Sequence, residues 1–250
     1  MSLALEQIGM EPGKSFRFLA WTDNLSDVVQ CRADGSRKKL AGVGDRWHFH
    51  PEYELTLITE GKGKRFVGDH VENFTAPDLV LIGPNLPHCW SDLRESSGFA
   101  IQFVLDSNHP MGQLDEMCAL ETTLQDSNFG IHFTGSVVQR IETLMWAIAD
   151  QSKLARLANF IGVLAELSDA PEHERLRLCG NNLKLPHHVQ HMAAISRAVS
   201  FILNNLEEEI GIDKLLKVTN MSKPTFSRHF KSHTGRSLTT FLNEVRIVNA

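Results

Sequence analysis

The chain has 250 residues, of which 42% are hydrophobic and 22% charged. That is enough for one large domain or two modest ones with ample core, and it excludes a disordered or low-complexity chain. The net charge of −5 is uneven: residues 191–250 carry 8 Lys+Arg against 5 Asp+Glu, the rest 17 against 25, so an acidic body has a mildly basic end suited to nucleic acid.

The first twenty residues include Glu6, Glu11, Lys14 and Arg17, which leaves no signal-peptide core. From about Phe16 to Leu105 the chain reads as short strands. "FRFLAW" alternates, "ELTLI" and "DLVLI" are apolar runs, "KRFVGDHVENF" predicts a hairpin turning at Gly68-Asp69, and "FAIQFVL" closes the series. Gly and Pro punctuate the gaps, and many short strands favour an antiparallel sandwich or barrel. Near Met111 the period changes. Leu114, Met117, Cys118 and Leu124 predict one helix face, Val138, Ile141, Leu144, Met145 and Ile148 a second, and Leu154, Leu157, Phe160, Ile161, Leu164 and Leu167 a third. Such stripes pack on the sheet or form a dimer seam. Ser168 to His188, with two prolines and "GNN", reads as a linker. The four cysteines, Cys31, Cys89, Cys118 and Cys179, form no C-x-x-C, so a reducing compartment fits. No run of about 18 apolar residues exists to span a membrane, and a cytoplasmic protein is expected.

"WHFHPEYELTLITEG", Trp47 to Gly61, holds the first candidate site. On a strand, His48, His50 and Glu54 share one face, and Phe49, Tyr53, Leu55 and Leu57 the other. Neutral imidazoles with a carboxylate suit a transition metal, the wall of a ligand pocket or a solvated face. Gly42, His48, His50, Glu54 and Gly61 stand at the fixed positions of the first cupin motif. Pro77, Gly83, Pro84, Pro87 and His88 resemble the second, with Leu79 where glycine is common. The resemblance implies a double-sheet jelly roll in which His48, His50, Glu54 and His88 point inward; their chemistry then suits either a small-molecule pocket lined with Trp90 and free of metal, or a divalent metal held by the four.

The last sixty residues hold the second site. Ile195, Val199, Ile202 and Leu206 mark a helix, and Ile212, Leu215 and Leu216 a short second one. Asn220 suits a sharp turn, and Ser222 is a candidate N-cap for "KPTFSRHFKSH". Phe226 and Phe230 face inward, which leaves Pro224, Ser227, Arg228 and Lys231 outward, as on a helix lying in the major groove. Gly235 ends that helix and Ser237 caps the next. The spacing from Met221 to Ala250 resembles the AraC/XylS family of bacterial transcription regulators, which join a cupin-like sensing domain to a DNA-binding module. Leu216 departs from the family's small alanine, and the sequence ends inside what would be the helix linking to a second helix-turn-helix.

The resemblance implies an α+β fold. Residues 1–110 form a cupin-like jelly roll for sensing, 111–168 a helical dimerisation and packing segment, 169–190 a linker, and 191–250 the first half of an all-α helix-turn-helix domain. It also implies a regulator, not an enzyme, that binds a small-molecule effector and double-stranded DNA as a homodimer. Lys223, Pro224, Thr225, Ser227, Arg228 and Lys231 are then the DNA-contacting residues. Two alternatives stay open: a metal-dependent cupin enzyme, and a dimerising partner with weak DNA binding.

Overall fold

Alternating apolar residues build a sheet whose two faces do different work. The computed structural model describes residues 14–25, 27–42, 44–106, 109–180, 191–206 and 208–249. Its strands are β1 (Phe16–Trp21), β2 (Asp27–Cys31), β3 (Arg37–Ala41), β4 (Tyr53–Val67), β5 (His70–Thr75), β6 (Asp78–Ile82), β7 (His88–Phe103), β8 (Ile131–Phe133) and β9 (Arg175–Arg177). They run in the order β3-β2-β1-β7-β4-β6-β8-β9, with β5 beside β4. All pairings are antiparallel. β4 and β7 lie side by side along their length. The first half of β4 also pairs with β6 and its second half with β5. Register shifts between Ile58 and Lys64 bend the pair, and Gly61 sits there at φ 102°, a conformation that side-chain-bearing residues avoid. The fold is the expected α+β arrangement, a cupin-like antiparallel domain followed by helices.

One face of β4, β6 and β7 is covered by α2 (Ser136–Asp150) and α3 (Lys153–Asp169). Leu55, Leu57, Leu79, Leu81, Ile101 and Phe103 form a common core with Val138, Ile141, Met145, Phe160 and Leu164. The opposite face carries Glu54, Thr56 and Gln102, all buried.

Three expectations change. The predicted helix over 111–124 is 3-10 turns at Pro110–Gln113 and Asp115–Leu120 followed by α1 (Glu121–Asp126). Leu114 is extended between the turns (φ −76°, ψ 136°) and, like Cys118, is exposed, so the apolar stripe is broken. The segment "NFGIHF" is not only a break, because Ile131–Phe133 adds β8 to the sheet. Part of the presumed linker, Arg175–Arg177, pairs with β8 as β9. The rest of that linker from 181 to 190 lies outside the described residues.

The C-terminal helices are α4 (Met192–Asn204), α5 (Ile212–Thr219), α6 (Lys223–Thr234) and α7 (Leu238–Asn249). Asn220 is left-handed (φ 54°, ψ 43°) and makes the sharp turn after α5, and Gly235 (φ 72°) ends α6. Ser222 occupies the N-cap of α6, but its hydroxyl donates to Thr225 Oγ1 at 2.9 Å instead of capping the backbone. Ser237 does cap α7, accepting from the Thr240 N–H at 3.2 Å. These helices share one buried cluster with Trp47, Phe66 and Cys89 of the sheet domain. Among the described residues no helix is long and apolar enough to cross a membrane.

Candidate functional site

His48 and His50 are not on the strand that carries Glu54. Residues 51–52 form a bend before β4 begins, and His48 is instead bridged to His88 of β7. The bend keeps the groups together: His50 Nε2 lies 3.1 Å from Glu54 Oε2, and His88 Nε2 3.8 Å from Glu54 Oε1. One ring nitrogen from each of His48, His50 and His88 falls within 4.8 Å of the others, and all three rings are buried.

Hydrogen bonds set which nitrogen faces inward. His48 Nδ1 is 2.7 Å from the Arg46 carbonyl and His88 Nδ1 2.8 Å from the Leu86 carbonyl. A carbonyl accepts only, so both rings carry their proton on Nδ1 and present Nε2 as a lone pair. His88 Nε2 is buried with no hydrogen-bond partner among the described residues. His50 stands between two acceptors, the Glu52 carbonyl at 3.1 Å and the Glu54 carboxylate. A neutral ring satisfies one of them; a doubly protonated ring, or a cation between Nε2 and the carboxylate, satisfies both. Burial, reinforced by the neighbouring His50, pushes His48 down to about 4. Burial likewise holds His88 well below the usual imidazole range, with His48 adding to it. Burial pushes Glu54 upward, but its hydrogen bond from His50 and the nearby imidazoles outweigh that and keep it well below the usual carboxylate range. The donor set fits a divalent transition metal: neutral imidazoles locked through their second nitrogen to backbone carbonyls, an orphaned inward lone pair, and an adjacent carboxylate.

A cavity of about 50 Å³ adjoins this cluster, lined by Arg17, Trp21, His48, Glu54, Trp90 and Gln102 among others. Of the predicted pocket residues, His48, Glu54 and Trp90 line it, whereas His50 and His88 pack against His48 at its edge. Arg17 and Gln102 were not anticipated. Arg17 pairs with Gln102 across β1 and β7, and Gln102 with Glu54 across β7 and β4, so the three stand abreast. Gln102 Nε2 donates to Glu54 Oε2 and the Thr56 hydroxyl to Glu54 Oε1, each at 2.7 Å. Gln102 Oε1 is buried without a hydrogen-bond partner among the described residues. The signal was present as lone polar residues within "FRFLAW" and "FAIQFVL".

Residues 34–120, which span β3 to β7 and every one of these histidines, match the family model of the AraC-like ligand binding domain. Over those residues the chain is similar to that domain. No curated protein matches it. Among solved structures it is similar to ToxT from Vibrio cholerae strain SCE256 with a bound unsaturated fatty acid (12% identity, TM-score 0.40, covering 96% of this chain and 80% of that one). It is also similar to CuxR, an AraC-like transcriptional activator (9% identity, TM-score 0.35, covering 97% and 83%).

Beyond the AraC-like domain, the predicted DNA-contacting residues all lie on α6. Lys223, Pro224, Ser227, Arg228 and Lys231 are exposed and Thr225 is half-buried. Phe226 and Phe230 are 0% exposed behind them. The amphipathic split therefore falls where the i, i+4 spacing placed it.

Proposed function

We propose that the chain is a ligand-responsive transcription regulator. Its AraC-like domain senses an effector at the histidine-lined cavity, and α6 reads promoter DNA from the major groove. The observation that carries this reading is α6 itself. Two buried phenylalanines hold it rigidly while its outer face presents a guanidinium, two ammonium groups and a hydroxyl to solvent. Arg228 suits bidentate contact with guanine, and Lys223 and Lys231 suit phosphates. Homodimerisation is part of the proposal. Trp146 of α2 and Leu154 and Ile161 of α3 are exposed, at 53%, 77% and 40%, and Leu154 and Ile161 lie two turns apart on one face. Of the domain limits read from the sequence, 1–110, 111–168, 169–190 and 191–250, the last is kept in the proposal, while β8, α2, α3 and β9 are assigned to the sheet domain.

Selection of bound sequences from random double-stranded DNA tests the reading. The chain is expected to enrich one motif. Arg228→Ala is expected to cost about 1–3 kcal/mol at one base position and relax specificity there. Lys231→Ala is expected to weaken all sequences alike and to reduce the salt slope by about 1. Enrichment of no motif by the folded chain, or an Arg228→Ala variant that selects as well as wild type, would overturn it. Turnover of a small oxygenated substrate without DNA selection would instead favour the metal-dependent enzyme.

A further inference from the structure

Two of the three site histidines stand back to back with the core of the helical module. Side chains of extended backbone alternate between faces. Around the bridge, His48 turns into the barrel while Trp47 joins the cluster outside it. On β7, His88 and Trp90 are on the inner side and Cys89 on the outer. The two stretches are bonded to each other, His48 N–H to the His88 carbonyl at 3.1 Å and His88 N–H to the His48 carbonyl at 2.9 Å. Trp47, Cys89 and Phe66, the cross-strand partner of Cys89, are buried with Ile195, Ala198, Val199 and Ile202 of α4. The Ser196 hydroxyl of α4 donates to the Trp47 carbonyl. That carbonyl belongs to the same peptide as the His48 N–H. A single peptide unit thus separates the imidazoles from the seat of the first helix of the proposed DNA-binding module.

We propose that the effector is a divalent transition-metal ion held by His48, His50 and His88, and that α4 reads its presence through Trp47 and Ser196. The proposal rests on the regulator reading above. The chemistry of the cavity selects the effector. His88 Nε2 and Gln102 Oε1 are buried without a hydrogen-bond partner among the described residues, and the Glu54 carboxylate lies between them, 3.8 Å from His88 Nε2 and accepting from Gln102 Nε2 at 2.7 Å. The space beside them, about 50 Å³, holds a few waters and falls well short of the roughly 300–1,000 Å³ of organic-ligand sites. A small cation satisfies acceptors in so little room, and imidazole donors favour late first-row ions. The geometry supplies the readout. Ligation by both His48 and His88 fixes the 47–50 segment against β7, and the outer side chains of these two stretches are the seat of α4. Where the seat is fixed, α4 is held more tightly.

The test measures metal uptake and helix protection on the untagged full chain. Equilibrium dialysis against Zn²⁺ and Ni²⁺ is paired with hydrogen exchange over Ile195–Ile202. Wild type is expected to take up one ion per chain and to slow α4 exchange about fivefold or more, the lower range of allosteric coupling. His88→Ala is expected to lose both responses while keeping its secondary structure. Ser196→Ala is expected to keep metal uptake and lose most of the α4 response. Metal uptake with unchanged α4 exchange would overturn the coupling alone. A response of wild-type size in Ser196→Ala would overturn the Ser196 route. No uptake by folded wild type, or equal uptake by His88→Ala, would overturn the metal effector. The DNA selection experiment is read without metal and separates that failure from failure of the regulator reading.

Discussion

Phe230→Ala is expected to cost the helical module about 3–5 kcal/mol, the usual loss for emptying a buried aromatic site, and to abolish DNA binding. Phe230 is 0% exposed. Its ring meets Phe241 of α7 edge-on, with centroids 5.5 Å apart at 87°, and lies 5.3 Å from Phe226. Such pairs add about 0.5–1.5 kcal/mol beyond burial. Phe230 thus bridges α6 to α7 within a cluster that also holds Phe226, Leu242 and Val245, so emptying its site loosens the helix that carries Arg228. The loss is selective, because the cluster between the sheet and α2–α3 contains none of these residues. Calorimetry or urea unfolding is expected to show the helices, with the Trp47, Phe66 and Cys89 seat they share, giving way before the core between the sheet and α2–α3. Arg228→Ala makes the contrast. Its side chain is exposed, so stability should move by less than about 0.5 kcal/mol while specificity falls. A Phe230→Ala protein that unfolds as wild type, or still selects DNA, would mean that α6 is not held by its inner aromatic stripe.

The residues that sequence reasoning read correctly are those whose role is local. Asn220 and Gly235 are left-handed because each stands just past a helix end, where that conformation closes the turn. Gly42 is legible as part of a motif, and the structure supplies its cause: a Cβ there would run into the Leu25 carbonyl. The site was reached by a partly mistaken route. One strand was expected to align His48, His50 and Glu54. The bend after His50 breaks that strand, and the groups converge because His48 is bridged to His88 and His50 reaches Glu54 across the bend. Long-range pairing was the illegible part. Arg17 and Gln102 reach the cavity through registers across three strands. β9 is a strand only because β8 offers it an edge. Neither local propensity nor period encodes such partners.

Deeper in the same barrel, Asp78→Ala is expected to destabilise the sheet domain by about 3–5 kcal/mol, the cost of leaving one member of a buried ion pair alone. The Asp78 and Arg65 side chains are 2% and 1% exposed, and an Arg65 guanidinium nitrogen donates to Asp78 Oδ1. Trp90 Nε1 donates to Asp78 Oδ2 at 3.4 Å, and His132 Nε2 lies 3.3 Å from Asp78 Oδ1. Without the carboxylate, the ion-pair partner left to Arg65 among the described residues is Glu72, at 2.7 Å and half in solvent. The indole of Trp90, a wall of the cavity beside the histidines, also loses its anchor. Arg65→Met combined with Asp78→Leu removes both charges at similar volume. Such replacements range from neutral to about 4 kcal/mol stabilising, so the double variant is expected to be far more stable than Asp78→Ala. A double-mutant cycle in urea gives the coupling directly. If Asp78→Ala and the double variant lose the same stability, the pair is not what the barrel interior depends on. If the double variant recovers stability but takes up metal poorly, the pair's contribution is to hold Trp90 beside the histidines, through the hydrogen bond from Trp90 Nε1 to Asp78 Oδ2.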